Sequence, residues 1–214
     1  MDIHRFVCNP LQENCYVVSD EESGECVIID CGAFYPEERR AVTDYICEQG
    51  LTPRHLLATH GHVDHNFGND TIYEAFRLKA EVMAEDLFLA EDLPGQAQQL
   101  FGIGINKEQP PLGRCLADGD TISFGRHELL VVHTPGHTPG SAIFWCRQEE
   151  VVFTGDTLFR MSIGRTDFEG GSWQQMQQSL QRIAATLPGD TKIFAGHGPE
   201  SRMADELQYN PYIR

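Results

Sequence analysis

Within the stretch Thr59-His60-Gly61-His62-Val63-Asp64-His65, four side chains with metal-binding atoms fall inside six positions. A single histidine usually has a bland structural explanation, but three histidines and an aspartate spaced H-x-H-x-D-H point to a metal site. Residues 54–59 read as a buried strand, and residues 64–76 as a helix with a loose start. Side chains alternate at a strand end, so His60 and His62 can face the same way and grip one ion. The turn into the helix can aim Asp64 and His65 at a second position. Four ligands on so short a segment crowd one tetrahedral ion, whereas two ions about 3.5–4 Å apart relieve the crowding. Gly61, between the first two histidines, lets the backbone come close to the metal.

Each ion then needs ligands from elsewhere, and three downstream stretches offer them. His133-Thr134-Pro135-Gly136-His137-Thr138-Pro139-Gly140 follows a strand, Thr154-Gly155-Asp156-Thr157 follows Val151-Val152-Phe153, and Gly196-His197-Gly198 follows Lys192-Ile193-Phe194-Ala195. All three have one format, a strand and then a ligand in a turn of small residues, the usual place for a site on a rigid scaffold. Asp30 ends the apolar run Cys26-Val27-Ile28-Ile29 and reads as a hydrogen-bond acceptor for the N–H of a ligand histidine.

The elements that must hold these turns can be read along the chain. Strands are expected at residues 3–7, 14–19, 26–30, 80–83, 121–124, 128–132, 142–146, 151–153 and 192–195. A helix opens at Pro36-Glu37-Glu38, with proline and acids in its first turn and Ala41, Val42, Tyr45 and Ile46 on its apolar face. Short helices are expected at 71–78 and 202–208. Ser172-Trp173-Gln174-Gln175 is a capping box, and Trp173, Met176, Leu180, Ile183 and Leu187 follow at helical spacing. From 85 to 113 the pattern weakens to short helices and a mobile loop, either a functional lid or a solvated insertion. Strands alternating with helices suggest a parallel α/β sheet, but two runs of consecutive strands pull away from that.

The motifs T-H-x-H-x-D-H, H-T-P-G-H-T-x-G-S, T-G-D-T-L-F and G-H-G, in this order, resemble the metallo-β-lactamase superfamily, and within it the compact glyoxalase II-like (hydroxyacylglutathione hydrolase-like) hydrolases. The likeness runs from about residue 14 to 211. It implies a single α/β (α+β) domain over 1–214, a four-layer αββα sandwich with metals at one edge between the sheets. It also allots ligands: His60, His62 and His137 to a first metal, Asp64, His65 and His197 to a second, and Asp156 as the bridge.

His and carboxylate ligands without thiolate suit zinc foremost, with iron or manganese as options. Two such divalent ions sharing a water supply a hydroxide nucleophile at neutral pH and polarise a carbonyl. Asp64 is the residue expected to orient that hydroxide. No G-x-S-x-G is present, and no cysteine is placed as an acyl acceptor. The resemblance proposes a small-molecule thioester, such as the glutathione conjugate S-lactoylglutathione. Only 17 residues follow His197, so the glutathione site of the longer glyoxalase II enzymes does not carry over. G-R-T-D-F at 164–168 is shared with persulfide dioxygenases, whose single Fe(II) would map to His60, His137 and Asp156; that is the alternative. Arg165 could anchor a substrate carboxylate or pair with Asp167 as a clamp. Cys31 stands where relatives commonly have proline, and is either packed or an oxidisable thiol at the site mouth.

The net charge of −16 repels phosphate backbones and anionic membranes, so nucleic acid and membrane partners are not expected. No apolar run reaches a membrane-spanning length, and the start lacks a signal-peptide pattern. Seven cysteines, an odd number without C-x-x-C, fit a cytoplasmic protein. Cys8, Cys15, Cys26, Cys47 and Cys146 read as small buried hydrophobes. A monomer or small homo-oligomer is expected.

Overall fold

A computed structural model describes residues 1–106 and 108–213. The chain runs β1 (Asp2–Cys8), β2 (Glu13–Ser19), β3 (Glu25–Ile29), α1 (Pro36–Glu48), β4 (Thr52–Leu57), α2 (Asn69–Phe76), β5 (Ala80–Met83), α3 (Leu87–Ala90), α4 (Leu93–Gln96) and β6 (Cys115–Leu116). It continues β7 (Thr121–Phe124), β8 (His127–His133), β9 (Ala142–Cys146), β10 (Val151–Gly155), β11 (Leu158–Phe159), β12 (Ser162–Ile163), α5 (Trp173–Thr186), β13 (Lys192–Ala195), β14 (Ser201–Arg202) and α6 (Met203–Tyr209). Two six-stranded sheets result, in the orders β1-β2-β3-β4-β5-β6 and β14-β13-β10-β9-β8-β7.

Alternation along the buried strands assigns their two faces. Tyr16, Val18, Val27, Ile29 and Leu57 meet Ile122, Phe124, Leu129, Val131, Phe144 and Phe153 between the sheets. Cys15, Val17, Cys26, Ile28 and Leu56 point the other way and pack with Val42, Ile46 and Ile72 of α1 and α2. On the far side, Val132, Ile143, Trp145 and Val152 pack with Met176, Leu180 and Ile183 of α5 and Met203 of α6. The order of layers is therefore helix, sheet, sheet, helix, and strands covered on both faces read as unbroken apolar runs. The parallel pairs β3–β4, β4–β5 and β10–β13 sit beside antiparallel hairpins in both sheets, which accounts for the mixed pattern of the sequence.

Some local expectations are corrected. The helix expected from residue 64 is a short 3₁₀ turn, Val63–His65, followed by α2 from Asn69. Ala41 and Cys47 lie on the solvent side of α1, whose buried residues are Val42 and Ile46. Trp173 is exposed at the start of α5, one turn before Met176 goes under. The four short strands β6, β11, β12 and β14 are two residues each, too short for a periodicity to register. Among the described residues no helix is long and apolar enough to cross a membrane.

The segment after β5 is not simply a loop. Its first half is a buried bracket. Asp86 is fully buried and accepts from Gly61 N at 2.8 Å, Gly140 N at 2.5 Å and Thr138 Oγ1 at 2.6 Å. Gln96 donates to Gly61 O and Leu89 O and accepts from Val63 N. These two side chains fasten the His60–His62 turn to the His137 turn. Gly61 permits this packing: a Cβ there would lie 2.6 Å from Leu89 Cβ, so glycine allows the turn to approach α3 closely. Beyond Gln96 the segment continues as a π-helical turn, Ala97–Phe101.

Candidate metal centre

All of the sequence motifs end at one edge, in turns after β3, β4, β8, β10 and β13. Asp30 leaves β3 with φ +52°, a left-handed backbone that a non-glycine residue holds only under constraint. The constraint is visible. Asp30 Oδ1 accepts from Thr59 N at 2.7 Å, and Oδ2 accepts from Thr59 Oγ1 at 2.7 Å and faces His65 Nδ1 at 3.0 Å. Asp30 therefore reaches His65 as expected, and orients the Thr59 turn as well.

The hydrogen bonds fix which ring nitrogens carry protons. His137 Nδ1 lies 2.7 Å from Arg165 O, and His197 Nδ1 lies 3.1 Å from Leu11 O. A carbonyl only accepts, so in both rings Nδ1–H donates and Nε2 is left with a lone pair. His65 follows the same logic through Asp30. His60 Nδ1 is 3.1 Å from Thr59 Oγ1, whose own proton goes to Asp30, so Nδ1–H donates here also. Four Nε2 lone pairs then point inward. His60 Nε2 is buried with no partner among the described residues. His62 Nδ1 faces His137 Nε2 at 2.9 Å, and His65 Nε2 faces His197 Nε2 at 3.2 Å.

Lone pairs this close repel unless a cation lies among them, and the carboxylates supply the matching negative charge. Asp156 Oδ1 is 3.3 Å from His65 Nε2, while its Oδ2 is 3.5 Å from His137 Nε2 and 3.7 Å from His197 Nε2. Asp64 Oδ2 lies 3.5 Å from His197 Nε2 and 3.8 Å from His65 Nε2. Among the groups of three whose ligand atoms lie within 4.8 Å of one another are His60/His62/His137 and Asp64/His65/His197, and a further one, His60/His65/Asp156, joins them. Asp156 stands between them. The donor set fits a pair of divalent cations on these grounds. Space is left by Gly196, where a Cβ would sit 2.5 Å from Asp156 Oδ1 and 2.6 Å from His65 Cε1.

The two groups differ electrostatically. Burial, followed by the neighbouring imidazoles, holds His60 well below the usual histidine range, and burial takes His62 down to about 3. Burial also opposes a charge on His65, but Asp156, Asp64 and Asp30 together outweigh it and push His65 well up. Asp156 is driven well down because His65, His137 and His197 outweigh its burial. The second group thus carries a proton when no metal displaces it.

Three expectations resolve on sight. Arg165 is a clamp: its Nε and Nη2 meet Asp167 at 2.6 and 2.7 Å, and its guanidinium stacks on Phe168 at 4.1 Å. Its contribution to the centre is the backbone carbonyl that orients His137. Cys31 is buried and packed with Cys8, Cys15 and Ala33, so it does not line the mouth. His133, in the same motif as His137, turns away to Pro139 O at 2.7 Å.

Sequence reading passed over Glu13. It is fully buried 3.9 Å from His65 Nδ1, and neither carboxyl oxygen has a hydrogen-bond partner among the described residues. Burial raises its pKa well above the carboxylate range, so it is a neutral acid behind the site. An acid heading the otherwise buried run Asn14-Cys15-Tyr16-Val17-Val18 was the available signal. The cavity over the centre is about 400 Å³ and is lined by His62, Asp64, His137, Asp156 and His197 on its floor.

Known proteins are similar to this chain in sequence and in fold. The Haemophilus influenzae hydroxyacylglutathione hydrolase GloC is 33% identical to this chain over 220 residues, covering 100% of this chain and 98% of its own length. The crystal structure of the BLEG-1 B3 metallo-beta-lactamase superposes with a TM-score of 0.90 at 31% identity, covering 99% of each chain. TTHA1623, solved in a di-iron-bound form, superposes with a TM-score of 0.85 at 34% identity, covering 98% of this chain and 99% of that one. The family model described as metallo-beta-lactamase superfamily matches residues 8–197, from the end of β1 to the last histidine of the centre. Motif order, layer order and extent of match agree, and the chain belongs to the metallo-beta-lactamase superfamily.

Proposed function

We propose that this protein is a binuclear metal-dependent hydrolase acting on thioesters, an S-acylated glutathione being the first candidate. The observation that carries the reading is the second inward-facing group. Asp64, His65 and His197 converge as closely as His60, His62 and His137 do, with Asp156 between them. These residues would hold a pair of divalent cations, zinc foremost and iron or manganese next, which would supply an acidified water near neutral pH and polarisation of a carbonyl oxygen.

The chain's own residues do the rest. Arg165 O and Leu11 O fix the tautomers of His137 and His197, and Asp30 fixes that of His65. Asp64, with Oδ2 at the open side of the centre, is placed to accept a hydrogen bond from the attacking water and so to orient it. In the reaction, the water oxygen bonds to the acyl carbon as it gives up a proton, the C–S bond breaks with its electron pair going to sulfur, and the thiolate takes up a proton to leave as the thiol. No protein nucleophile is required. GloC, 33% identical along the whole chain, is named for hydroxyacylglutathione hydrolysis, which supports a thioester over the lactam of BLEG-1.

A mononuclear Fe(II) persulfide dioxygenase would use His60, His137 and Asp156 alone. It assigns no metal to the converging group Asp64, His65 and His197. Metal analysis with a thiol-trapping assay separates the two: two metal ions per chain and thiol release from S-lactoylglutathione or a simpler thioester are expected. One iron per chain, with oxygen uptake on glutathione persulfide and no thiol release, would reverse the order.

A further inference from the structure

The walls of the cavity say something that its floor does not. Above the His/Asp floor stand Leu11, Leu100, Phe101 and Phe168. Leu11 is 46% exposed, Leu100 40% and Phe101 37%, so three large apolar side chains face water around one opening. Phe168 sets its ring edge-on to His62, with centroids 5.4 Å apart. Leu100 and Phe101 are presented by the π-helical turn Ala97–Phe101, which the left-handed Gly102 ends. π-Helical turns are rare and are frequently found at functional sites. Leu100 and Phe168 also enclose a small adjoining recess of about 80 Å³ with Leu89 and Gln99, opening beside His62.

The polar side of the balance is thin. Among the described residues lining the cavity, Arg165 is the one Lys or Arg, and its Nε and Nη2 edge is taken by Asp167. Its flat face is spent on Phe168. The wall therefore offers mostly hydrocarbon, and its one cation already has its charge matched by the Asp167 carboxylate.

Resting on the thioester reading, we propose that the acyl group of the substrate is apolar, an aliphatic or aromatic chain laid against Leu100, Phe101, Leu11 and Phe168. The acyl group is the part assigned to the wall because thiol carriers bear charges that this wall does not meet. A hydroxyacyl group such as lactoyl gains little there, having a single methyl to bury and a hydroxyl with no partner on the wall. Each added methylene that the wall covers raises kcat/KM by about three- to fourfold, the factor that ordinary burial of a methylene gives.

The test is an acyl series on one thiol, the metal-loaded protein being given acetyl-, butanoyl-, hexanoyl- and D-lactoyl-glutathione. The expected result is a rise of at least tenfold in kcat/KM from acetyl to hexanoyl, with D-lactoyl near acetyl. The double change Leu100→Ser with Phe101→Ser is expected to flatten the hexanoyl-to-acetyl ratio at least fivefold, and a ratio within one variant is insensitive to how much of it is folded. In parallel, calorimetry with the non-hydrolysable thioethers S-methyl- and S-hexylglutathione is expected to show tighter binding of the hexyl compound. A flat series, or D-lactoyl the fastest, overturns the apolar wall while leaving the hydrolase intact. Absence of thiol release from every member defeats the thioesterase reading. The thioethers then decide the wall separately, and equal affinity for methyl and hexyl overturns it.

Discussion

The His60/His62/His137 half of the centre and the Asp64/His65/His197 half lie side by side, yet they hold themselves ready in different ways. The first is all imidazole and buried, and desolvation keeps His60 and His62 neutral, the form that binds metal. The second mixes carboxylate with imidazole and includes the half-exposed His197; its negative charge attracts a cation, and a proton answers as well as a metal. The first half is organised by exclusion of water and the second by charge. Asp156 belongs to both, and its depressed pKa reflects imidazoles from each.

The harshest way to break the comparison is to remove the shared residue. Asp156→Ala is expected to fold, to lose both metal ions, and to drop thioester hydrolysis by at least about 10³-fold, the upper range for deleting one group that stabilises reaction charge. Metal analysis and turnover on the same sample check it; two retained equivalents with normal turnover would end the bridging role.

Next in size is His197→Ala, which should cut only the second half. Metal content is expected to fall from about two ions to about one, the first-order result for a two-metal site. The pH optimum should move up, because one cation acidifies water less than two. An unchanged metal content and pH profile would mean that His197 binds no metal.

A milder cut is Asp30→Asn, which removes the charge behind His65 and leaves its shape. Affinity in the second half should fall by about 10–100-fold, as is usual for an outer partner of a ligand histidine. Chelator titration should show one ion leaving early and the other at its native concentration. Equal weakening of both ions would refute the division into halves.

The smallest effect is in protons. With His65 and His197 both raised, filling the second half near pH 7 should release about one proton per chain, whereas filling the first half should release close to none. The sign also sets the order of loss. As pH falls, protons reclaim His65 and His197 first, and His60 and His62 only well below the usual histidine range. Calorimetry in buffers of differing ionisation enthalpy, and metal content after dialysis at stepwise lower pH, would show either pattern.

Much of the centre was legible in the sequence because chemistry there is carried by side chains of unusual type at short spacing. His60, His62, Asp64, His65, His137, Asp156 and His197 all arrive at one edge, and Asp30 meets the histidine N–H assigned to it. What escaped was carried by backbone or by burial. Leu11 and Arg165 act through carbonyls, which any residue type possesses. Asp86 and Gln96 are polar residues in a segment of weak pattern, and only their depth shows that they brace the metal-binding turns. The αββα layering came through motif order, since strands buried on both faces leave a helix–strand alternation that also suits a parallel sheet. Trp173 and Cys47 fit an apolar stripe by spacing, but lie where no neighbouring layer covers them.

One junction has a consequence for the order of events when metal arrives. Strand β2 of the first sheet reaches across to the end of β13 in the second. Asn14 N donates to Gly196 O at 2.7 Å, Tyr16 OH to Ala195 O at 2.7 Å, and Asn14 Nδ2 to Ala195 O and Gly198 O. Glu13 forms a β-bridge with His197 itself. The last histidine of the chain is thereby latched to its second strand by hydrogen bonds from the backbone of Asn14 and the side chains of Asn14 and Tyr16. Loading is then a docking event on a finished frame rather than a step of folding. In hydrogen–deuterium exchange the Asn14 amide should be as slow in the metal-stripped protein as in the loaded one, while newly translated chains should acquire the frame before they acquire the ions.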